Sequence, residues 1–565
     1  MKKAFLKILM VTLLISVALF AVACSIITDE QESGITYKKN EDGKSYTVVA
    51  IDTRSSVVTI PAEYQGLPVT GINLSRSFYA KGGQDTVIDF TPYHQSVTKI
   101  EIPSTVKEIG WFTSTFMNLT EVIVDSENAT FKTIDGNLYS KDGSALLGYA
   151  RGKQQSEFVI PSHVTTIGNE AFAVCPHLKN IVIPDSVTTI KSSAFNGLLI
   201  TSVKIPKSVV TIEPVAFLGC NQLFDVEINA NITGEGDHYA SAFYNCDSIM
   251  RVTIGEDVEV LNDAVIDKLS SLKIVEVINN SKHITIEKGS DEHGGIGKLA
   301  LYVANREEGY VSKLSQEGDF WVFTEGEDRI LVNYQGVAMD VVVPDDITKI
   351  NDLAFFGADV ATIKTGDGVT EIGMYAFAGE RVVSVEIGKN VQTIKESAFE
   401  DAYHLVEIIN KSEYITLEKG SDEDFYGIED VEIISNRDDS YVSKVIKEDG
   451  FVTFEYESDV YLMAYYGAEV DIIIPTEVTF IHSYAFKGRV INSVVFGENV
   501  RYIAKYAFYG CANLTEAKFE DVSNWYFIES NAIEGLEEWE AISVTSSSKN
   551  AMLLIQGGAF AKRDE

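Results

Sequence analysis

Residues Asn180 to Phe195 read NIVIPDSVTTIKSSAF, and this stretch decides the fold. Its first residues alternate apolar and polar, which indicates a β-strand with one buried face, and Pro184 ends the strand because proline cannot donate to the ladder. Val187 and Ile190 follow at the spacing V-x-x-I. The closing Ala-Phe pair is too short for a free helix and predicts one turn of α- or 3₁₀-helix.

The same unit recurs along the chain. Close copies are SEFVIPSHVTTIGNEAFAVCPHL, TSVKIPKSVVTIEPVAFLGCNQL and SVEIGKNVQTIKESAFEDAYHL. Ala-Phe pairs fall at residues 171/172, 194/195, 216/217, 242/243, 354/355, 376/377, 398/399, 485/486 and 507/508. Within each group the phenylalanines are 22 to 26 residues apart. One unit cannot bury its own Val, Ile, Phe and Leu, but stacked units can, so the sequence predicts a solenoid.

The repeated pattern IPxxVxxIxxxAFxxCxxL resembles the BspA-type leucine-rich repeat, which is common on the surfaces of Gram-positive anaerobes and also occurs in some protozoa. The resemblance covers residues 96 to 520, with interruptions. It implies a curved solenoid with a parallel sheet along one face, and a role in attachment to host or matrix proteins.

A second, longer period is also present. The stretch VINNSKHITIEKGSDE from Val277 recurs as IINKSEYITLEKGSDE from Ile408, an offset of 131 residues. Phe355 recurs at Phe486 with the same offset. The duplicated inserts carry strand-like runs parted by Gly, Asp and Glu, so they predict β structure continuous with the solenoid.

The fold class expected from these patterns is a β-rich solenoid of leucine-rich repeats with a parallel sheet, short helical turns, β inserts and terminal caps. The domains expected in chain order are a signal peptide (1–23), a lipid anchor and tether (24–34), an N-terminal β cap (35–95), a repeat block (96–276), a β insert (277–342), repeats (343–407), the duplicate insert (408–473), repeats (474–520) and a C-terminal cap (521–565).

The amino terminus has the pattern of an export signal. Basic residues precede an apolar run from Ile8 to Ala23, which is short for a membrane-spanning helix, and small residues end it. The sequence AVAC resembles the lipobox of bacterial lipoproteins, although Ala21 stands where Leu is usual. The resemblance implies lipidation of Cys24 and anchoring at the outer face of the cell membrane. The alternative is cleavage at Ala-x-Ala and secretion of a soluble protein.

The acidic composition limits the class of partner. The formal net charge is −37, which makes nucleic acid and anionic lipid surfaces poor partners. Contact with the membrane is expected through the lipid anchor only. An extracellular host or matrix protein is the expected partner.

The four remaining cysteines share one repeat position. They lie in AFAVC, AFLGC, AFYNC and AFYGC, at Cys175, Cys220, Cys246 and Cys511. Because Ala402 takes this position in another copy, we interpret them as buried free thiols that act as small hydrophobes. Cys220 and Cys246 lie in consecutive repeats, whose strands stack about 4.8 Å apart, so a disulfide between them stays an alternative.

Catalytic motifs are not evident in the sequence. Ser104 to Lys107 form an SxxK and Lys364 to Gly366 a KTG, but no SDN accompanies them, so we interpret both as repeat positions. The protein is therefore expected not to be an enzyme, and no catalytic residue is assigned.

No metal site or cofactor is expected. The cluster His283, Asp291, Glu292 and His293 is not preserved in the duplicate. The acidic runs at 291–292, 422–424 and 438–439 lack the spacing of a calcium loop and are interpreted as solvated turns.

Three functions are considered for the solenoid. Surface binding or adhesion is favoured, and a passive structural spacer without a specific ligand is the alternative; an extracellular hydrolase is the third and weakest. Tyrosines outside the Ala-Phe position are candidate contact residues, or else part of the solenoid wall: Tyr465, Tyr466, Tyr484 and Tyr506.

Overall fold

The structure is a computed structural model. It describes residues 34–51, 53–74, 96–110, 115–231, 241–246, 248–261, 274–290, 292–293, 296–298, 300–379, 381–419, 426–511 and 513–519, and the backbone alone of 527–528 and 543–546. The expected signal peptide, Cys24 and most of the expected C-terminal cap lie outside these residues. Two compact units are formed, Met1–Glu308 and Gly309–Glu565, which we call unit 1 and unit 2.

Unit 1 is built from 21 described β-strands. They are β1 Ile35–Lys39, β2 Tyr46–Ile51, β3 Val57–Thr59, β4 Glu63–Tyr64, β5 Leu67–Ile72, β6 Lys99–Ile102, β7 Glu108–Ile109, β8 Glu121–Val124, β9 Phe131–Ile134, β10 Asn137–Ser140, β11 Ala145–Gly148, β12 Glu157–Val159, β13 Thr166–Ile167, β14 Asn180–Val182, β15 Thr189–Ile190, β16 Ser202–Ile205, β17 Thr211–Ile212, β18 Asp225–Ile228, β19 Arg251–Ile254, β20 Glu276–Asn279 and β21 Tyr302–Asn305.

Unit 2 contains the other 21 described strands. They are β22 Leu314–Glu317, β23 Phe320–Glu325, β24 Asp328–Tyr334, β25 Asp340–Val342, β26 Lys349–Ile350, β27 Thr362–Lys364, β28 Glu371–Ile372, β29 Ser384–Ile387, β30 Thr393–Ile394, β31 Glu407–Asn410, β32 Ile433–Asn436, β33 Val445–Glu448, β34 Phe451–Tyr456, β35 Asp459–Tyr465, β36 Asp471–Ile473, β37 Phe480–Ile481, β38 Ser493–Phe496, β39 Tyr502–Ile503, β40 Glu516–Phe519, β41 Phe527–Ile528 and β42 Ser543–Ser546.

Many repeats contribute one long and one short strand, and the two kinds form separate parallel sheets. In unit 1 the long strands form the sheet β16-β18-β19-β20-β21, and the short strands β13, β15 and β17 continue a sheet that begins with the hairpins β9-β10-β11. Equivalent positions pair in register, as in Val226 with Val252 and Ile228 with Ile254. The chain is therefore a β-solenoid of stacked parallel strands, which confirms the expected fold class.

Unit 2 repeats this plan twice. The antiparallel strands β22 to β24 pair with β26 and lead the short-strand sheet of one block, and β33 to β35 pair with β37 and lead the next. The long-strand sheets are β25-β27-β29-β31-β32 and β36-β38-β40-β42. We call the three-stranded element β33 to β35 the second hairpin.

Stacked aromatic rings form the core of each block. The Phe195 and Phe217 rings lie 4.8 Å apart and 16° from parallel, and those of Phe486 and Phe508 lie 4.6 Å apart. A tyrosine from the leading hairpin starts each stack: Tyr149, Tyr334 and Tyr465. Because these side chains are buried, each repeat covers the apolar edge of its neighbour.

The expected short helical turn at Ala-Phe is wrong. The residue before the alanine has a φ between 52° and 61° in the repeats at Ser193, Val215 and Tyr484, among others. This left-handed conformation interrupts a right-handed helix. The freed backbone groups bond between repeats instead, as where the Phe195 N–H donates to the Ala216 carbonyl at 2.8 Å. None of the described residues is α-helical, and accordingly none lies in a helix suited to crossing a membrane.

Candidate binding surfaces

The outward face of the long-strand sheet in unit 1 is polar. Arg251 on β19 pairs with Asp225 on β18 at 2.7 Å, and Lys204 on β16 pairs with Glu227 at 2.8 Å. The Lys204 pair lowers the pKa of Glu227 against the opposing effect of burial. Charges on this face are thus paired across strands, which leaves fewer of them for a partner.

Exposed apolar residues on the strand faces are concentrated at the first strands. Val159 and Val182 are register partners on β12 and β14 and are 57% and 41% exposed. In unit 2, Val342 on β25 and Ile473 on β36 are also exposed. Such small groups do not form the broad patch that marks a hydrophobic interface.

In unit 2, the second hairpin covers part of a strand face. Val452, Phe454 and Met463 turn away from their own block and pack against Ala361 and Val383, beside the strands β27 and β29. Lys447 pairs with Asp340 at the end of β25, at 2.6 Å. The second hairpin therefore covers the first row of outward-facing residues on the sheet β25-β27-β29-β31-β32, and both elements belong to unit 2.

Glu407 holds the second hairpin on this sheet. Its carboxylate is fully buried and accepts hydrogen bonds from the Ser384 and Ser443 hydroxyls, both at 2.7 Å. The Tyr441 hydroxyl donates at 2.7 Å and the Lys444 N–H at 2.8 Å. Burial and the bond to Glu407 raise the pKa of Tyr441. A buried carboxylate with four donors fixes the hairpin on the sheet.

A second contact within unit 2 is a charged aromatic cluster. Asp359 pairs with Arg381 at 3.0 Å and with Arg489 at 2.9 Å. Both guanidinium groups lie over the Tyr466 ring, at 5.0 Å and 4.6 Å from its centre. Burial and the neighbouring Arg381 lower the pKa of Arg489. These residues join the two repeat blocks of unit 2, since 359 and 381 belong to one block and 489 to the other.

The four tyrosines singled out in the sequence divide between the two interpretations. Tyr465 is 1% exposed and starts a ring stack, and Tyr466 lies in the cluster with Arg381 and Arg489. Burial raises the pKa of Tyr466. These two tyrosines belong to the wall of the solenoid.

Tyr484 and Tyr506 instead form a surface ladder. Their rings stack at 5.2 Å, and Tyr509 meets them edge-on at 6.1 Å and 6.0 Å. Lys487 lies over the Tyr484 ring and Lys505 over the Tyr506 ring, at 5.1 Å and 4.4 Å. We call these five residues the tyrosine-lysine patch. All five are partly or fully exposed, on the turns that precede and follow the Ala-Phe pairs.

The family of the chain follows from the repeat. The family model of the BspA type leucine rich repeat region matches six copies, at residues 149–273, 335–440 and 463–563, which together are more than half of the chain. The chain belongs to this family. Among curated proteins, no sequence matches this BspA-type repeat protein.

Several solved structures similar to this BspA-type protein come from bacteria. One from Eubacterium ventriosum is 19% identical, covers 51% of this chain and 98% of its own, and has a TM-score of 0.31. A leucine rich cell surface protein from Faecalibacterium prausnitzii is 17% identical over 91% and 96% of the two chains, with a TM-score of 0.23. The pneumococcal vaccine antigen PcpA is 14% identical over 92% and 93%, with a TM-score of 0.20.

The four repeat cysteines of this BspA-type protein, Cys175, Cys220, Cys246 and Cys511, are buried free thiols, as interpreted. The Cys246 thiol donates to the Phe217 carbonyl of the preceding repeat at 2.9 Å, and Cys220 and Cys511 make the same bond. Burial raises the pKa of Cys175 and Cys511 to about 12. The Cys175 and Cys511 thiols are thus far from the thiolate form that reactivity requires, and no disulfide joins Cys220 and Cys246.

The KTG stretch occupies a strand end, as its repeat position predicts. Lys364 pairs with Glu386 on the neighbouring strand at 3.0 Å. Thr365 is fully buried, and its hydroxyl accepts a hydrogen bond from the Gly388 N–H at 2.7 Å. Both side chains therefore make contacts between neighbouring repeats.

The expected solvated turns lie only partly within the described residues. Asp438 accepts hydrogen bonds from the N–H and hydroxyl of Ser440, which lowers its pKa. Asp291 and residues 422–424 are outside the described residues. Among the residues that the structure does describe, no three His, Cys, Asp or Glu side chains are grouped to hold a metal ion.

An asparagine ladder recurs in the two duplicated inserts. Asn279 donates to Asn305 at 2.7 Å, and Asn410 repeats the bond to Asn436. Arg306 then binds the carbonyls at 281 and 284. Sequence reasoning found the duplication but not this ladder, although the Asn that ends each of the strands EVIN, YVAN, EIIN and IISN was its signal.

Proposed function

We propose that this protein is an exported surface protein that binds an extracellular host or matrix protein and has no catalytic role. In this proposal the chain is anchored through a lipid on Cys24, and the solenoid holds the binding residues at fixed spacing away from the membrane. The BspA-type family membership supports a binding role in general, because stacked repeats present extended surfaces.

The observation that carries the proposal is the tyrosine-lysine patch. Stacked Tyr484 and Tyr506 offer a large contact area with little side-chain entropy to lose on binding. Aromatic residues of this kind are enriched at the centres of protein interfaces. The patch also lies away from the strand faces. On those faces, charges pair across strands in unit 1, and the second hairpin covers part of the face in unit 2.

Surface display provides the test. The full-length protein is displayed on a bacterium, and binding of an array of purified host and matrix proteins is measured. The variant Tyr484→Asn, Tyr506→Asn and Tyr509→Ala removes the rings, and asparagine tolerates the left-handed backbone at the first two positions. We expect the variant to lose about tenfold or more in affinity.

Tyr414→Ala is the matched control, because Tyr414 is 61% exposed and lies outside the patch. It is expected to bind as the wild type does. If the wild type binds no protein on the array, the proposed binding function is wrong and the passive-spacer function replaces it. If the patch variant keeps full affinity and melts at the wild-type temperature, the patch is not the contact surface.

A further inference from the structure

A pocket of about 450 Å³ opens within unit 2, between the long-strand block and the second hairpin. Residues of the turn 400–403 and of the segment 427–432 line one side of it. Residues of β34 and β35, together with His482, line the other side. The pocket is separate from the tyrosine-lysine patch, since the two share no residue.

One wall of the pocket is aromatic. Phe454 and Tyr456 stack at 5.9 Å, and the Tyr461 ring lies 6.4 Å from that of Phe454. Tyr461 is held in turn by stacking on Phe480 at 4.9 Å. Met463 completes the apolar lining. Faces of aromatic rings in such an arrangement attract a cation and also pack against an alkyl chain.

The other wall is acidic. Five carboxylates line the pocket: Glu400, Asp401, Glu429, Asp430 and Glu432. Glu432 pairs with Lys419 at 2.9 Å, but no lysine or arginine is among the described residues that line the pocket. Burial lowers the pKa of His482 below its usual 6.5, so its ring is neutral at neutral pH and does not offset the carboxylates.

We propose that this pocket receives a lysine or arginine side chain presented by a polypeptide partner. The alkyl stem packs on the aromatic wall and the charged head binds the carboxylates. The net charge of −37 favours the approach of a basic segment. This inference rests on the proposed function, to which it adds the chemistry of one contact.

Short peptides test the pocket directly. Calorimetric titration of the full-length protein with Ac-Gly-Arg-Gly-NH₂ and Ac-Gly-Lys-Gly-NH₂ is compared with titration with Ac-Gly-Gln-Gly-NH₂. We expect the basic peptides to bind about tenfold more tightly than the glutamine peptide. Equal binding of all three peptides would overturn the proposal.

Two variants separate the pocket from general attraction to an acidic protein. Glu400→Gln with Asp430→Asn neutralises two pocket carboxylates and is expected to weaken binding of the basic peptides about tenfold. Glu127→Gln with Asp185→Asn makes the same charge change at exposed sites in unit 1 and is expected to leave binding unchanged. Equal loss in both variants contradicts a specific site.

The aromatic wall has its own variant. Tyr456→Ala keeps every carboxylate but removes one ring of the wall, and it is expected to weaken binding of the basic peptides at an unchanged melting temperature. Unchanged affinity would exclude the aromatic wall from recognition. Free agmatine distinguishes the source of the cation: if it binds as tightly as the arginine peptide, the pocket is a small-amine site and the polypeptide assignment is wrong.

Failure of this inference differs from failure of the proposed function. If the peptides bind as expected but the array yields no protein ligand, the pocket stands and the surface-binding proposal falls. If the array yields a ligand whose binding ignores Glu400→Gln with Asp430→Asn, the surface-binding proposal stands and the pocket is not its contact.

Discussion

At the residue scale, the repeat depends on the phenylalanine of each Ala-Phe pair. Phe355 is fully buried between the rings of Tyr334 and Phe377, at 5.5 Å and 5.7 Å. Its neighbour Phe356 is 46% exposed. Two adjacent phenylalanines thus differ in burial, since Phe355 lies inside the ring stack and Phe356 is half-exposed, which gives an internal comparison.

Phe355→Ala is expected to lower the free energy of unfolding of unit 2 by about 3 to 5 kcal/mol, because it opens a cavity in the ring stack. Phe356→Ala, as the control, is expected to cost less than about 1 kcal/mol. Urea titration followed by circular dichroism measures both. Equal effects of the two substitutions would show that the ring stack does not hold the repeats together.

The residues that sequence reasoning placed well are those fixed by local burial. Val, Ile, Ala, Phe and Cys recur at positions that face the core of each repeat, so their roles follow from period alone. Tyr465 and Tyr466 could not be assigned in this way, because their burial comes from contacts with residues far away in sequence, such as Phe486 and Arg381.

At the element scale, the turn at Ala-Phe shows a second limit of prediction. The left-handed residue before the alanine is Ser, Val, Leu, Tyr or Glu in different repeats, and none of these signals a positive φ as glycine does. Hydrogen bonds between repeats select this conformation. A helical turn was therefore a reasonable expectation from one unit and is wrong for the stack.

The position of the second hairpin was the hardest to predict from the sequence. Its strands were expected, but its packing on the sheet β25-β27-β29-β31-β32 depends on Glu407 and the apolar side chains that meet it. Glu407→Gln replaces one carboxylate oxygen by an amide NH₂. This group cannot accept hydrogen bonds, so the donors that bind that oxygen lose their acceptor. We expect a loss of about 2 to 3 kcal/mol in stability.

Hydrogen exchange measures this effect where it arises. In Glu407→Gln, amides of the second hairpin are expected to exchange faster, while the Phe195 and Phe217 region of unit 1 stays protected as in the wild type. The account of the hairpin anchor is contradicted if protection is unchanged in residues 441–465.

At the scale of the whole molecule, stability is expected to depend on pH through unit 2. The His482 ring lies 4.4 Å from that of His404, and burial holds the pKa of His482 below 6.5. The unfolded chain therefore binds a proton more readily than the folded one. The stability from a neutral His482 is complete above pH 6.5 and is lost as the pH falls below that value.

His482→Asn tests this dependence, since Asn351 holds the corresponding place in the duplicated block. Melting temperatures are measured between pH 7.5 and about 5.5, above the ordinary range of carboxylates. The wild type is expected to lose stability across this interval more steeply than the variant. Parallel curves for the two proteins would mean that His482 is not the titrating group.

The solenoid could be predicted for the whole molecule because 22-residue periodicity is a property of the sequence itself. The pocket, the Asp359 cluster and the tyrosine-lysine patch could not, since each needs side chains from several repeats or from a hairpin folded back on a sheet. The proposed binding surfaces depend on these contacts between residues far apart in sequence, whereas the fold depends on the repeat period.

The central claim is that the solenoid is displayed outside the cell on a lipid anchor, and the most direct test is the mass of the mature amino terminus. The protein is expressed in a bacterium, and wild type and Cys24→Ala are compared by mass spectrometry and detergent partition. We expect a wild-type chain that begins at a diacylated Cys24 and partitions into detergent, and a variant that does not. A soluble wild-type chain that begins at unmodified Cys24 or at Ser25 would contradict the anchor.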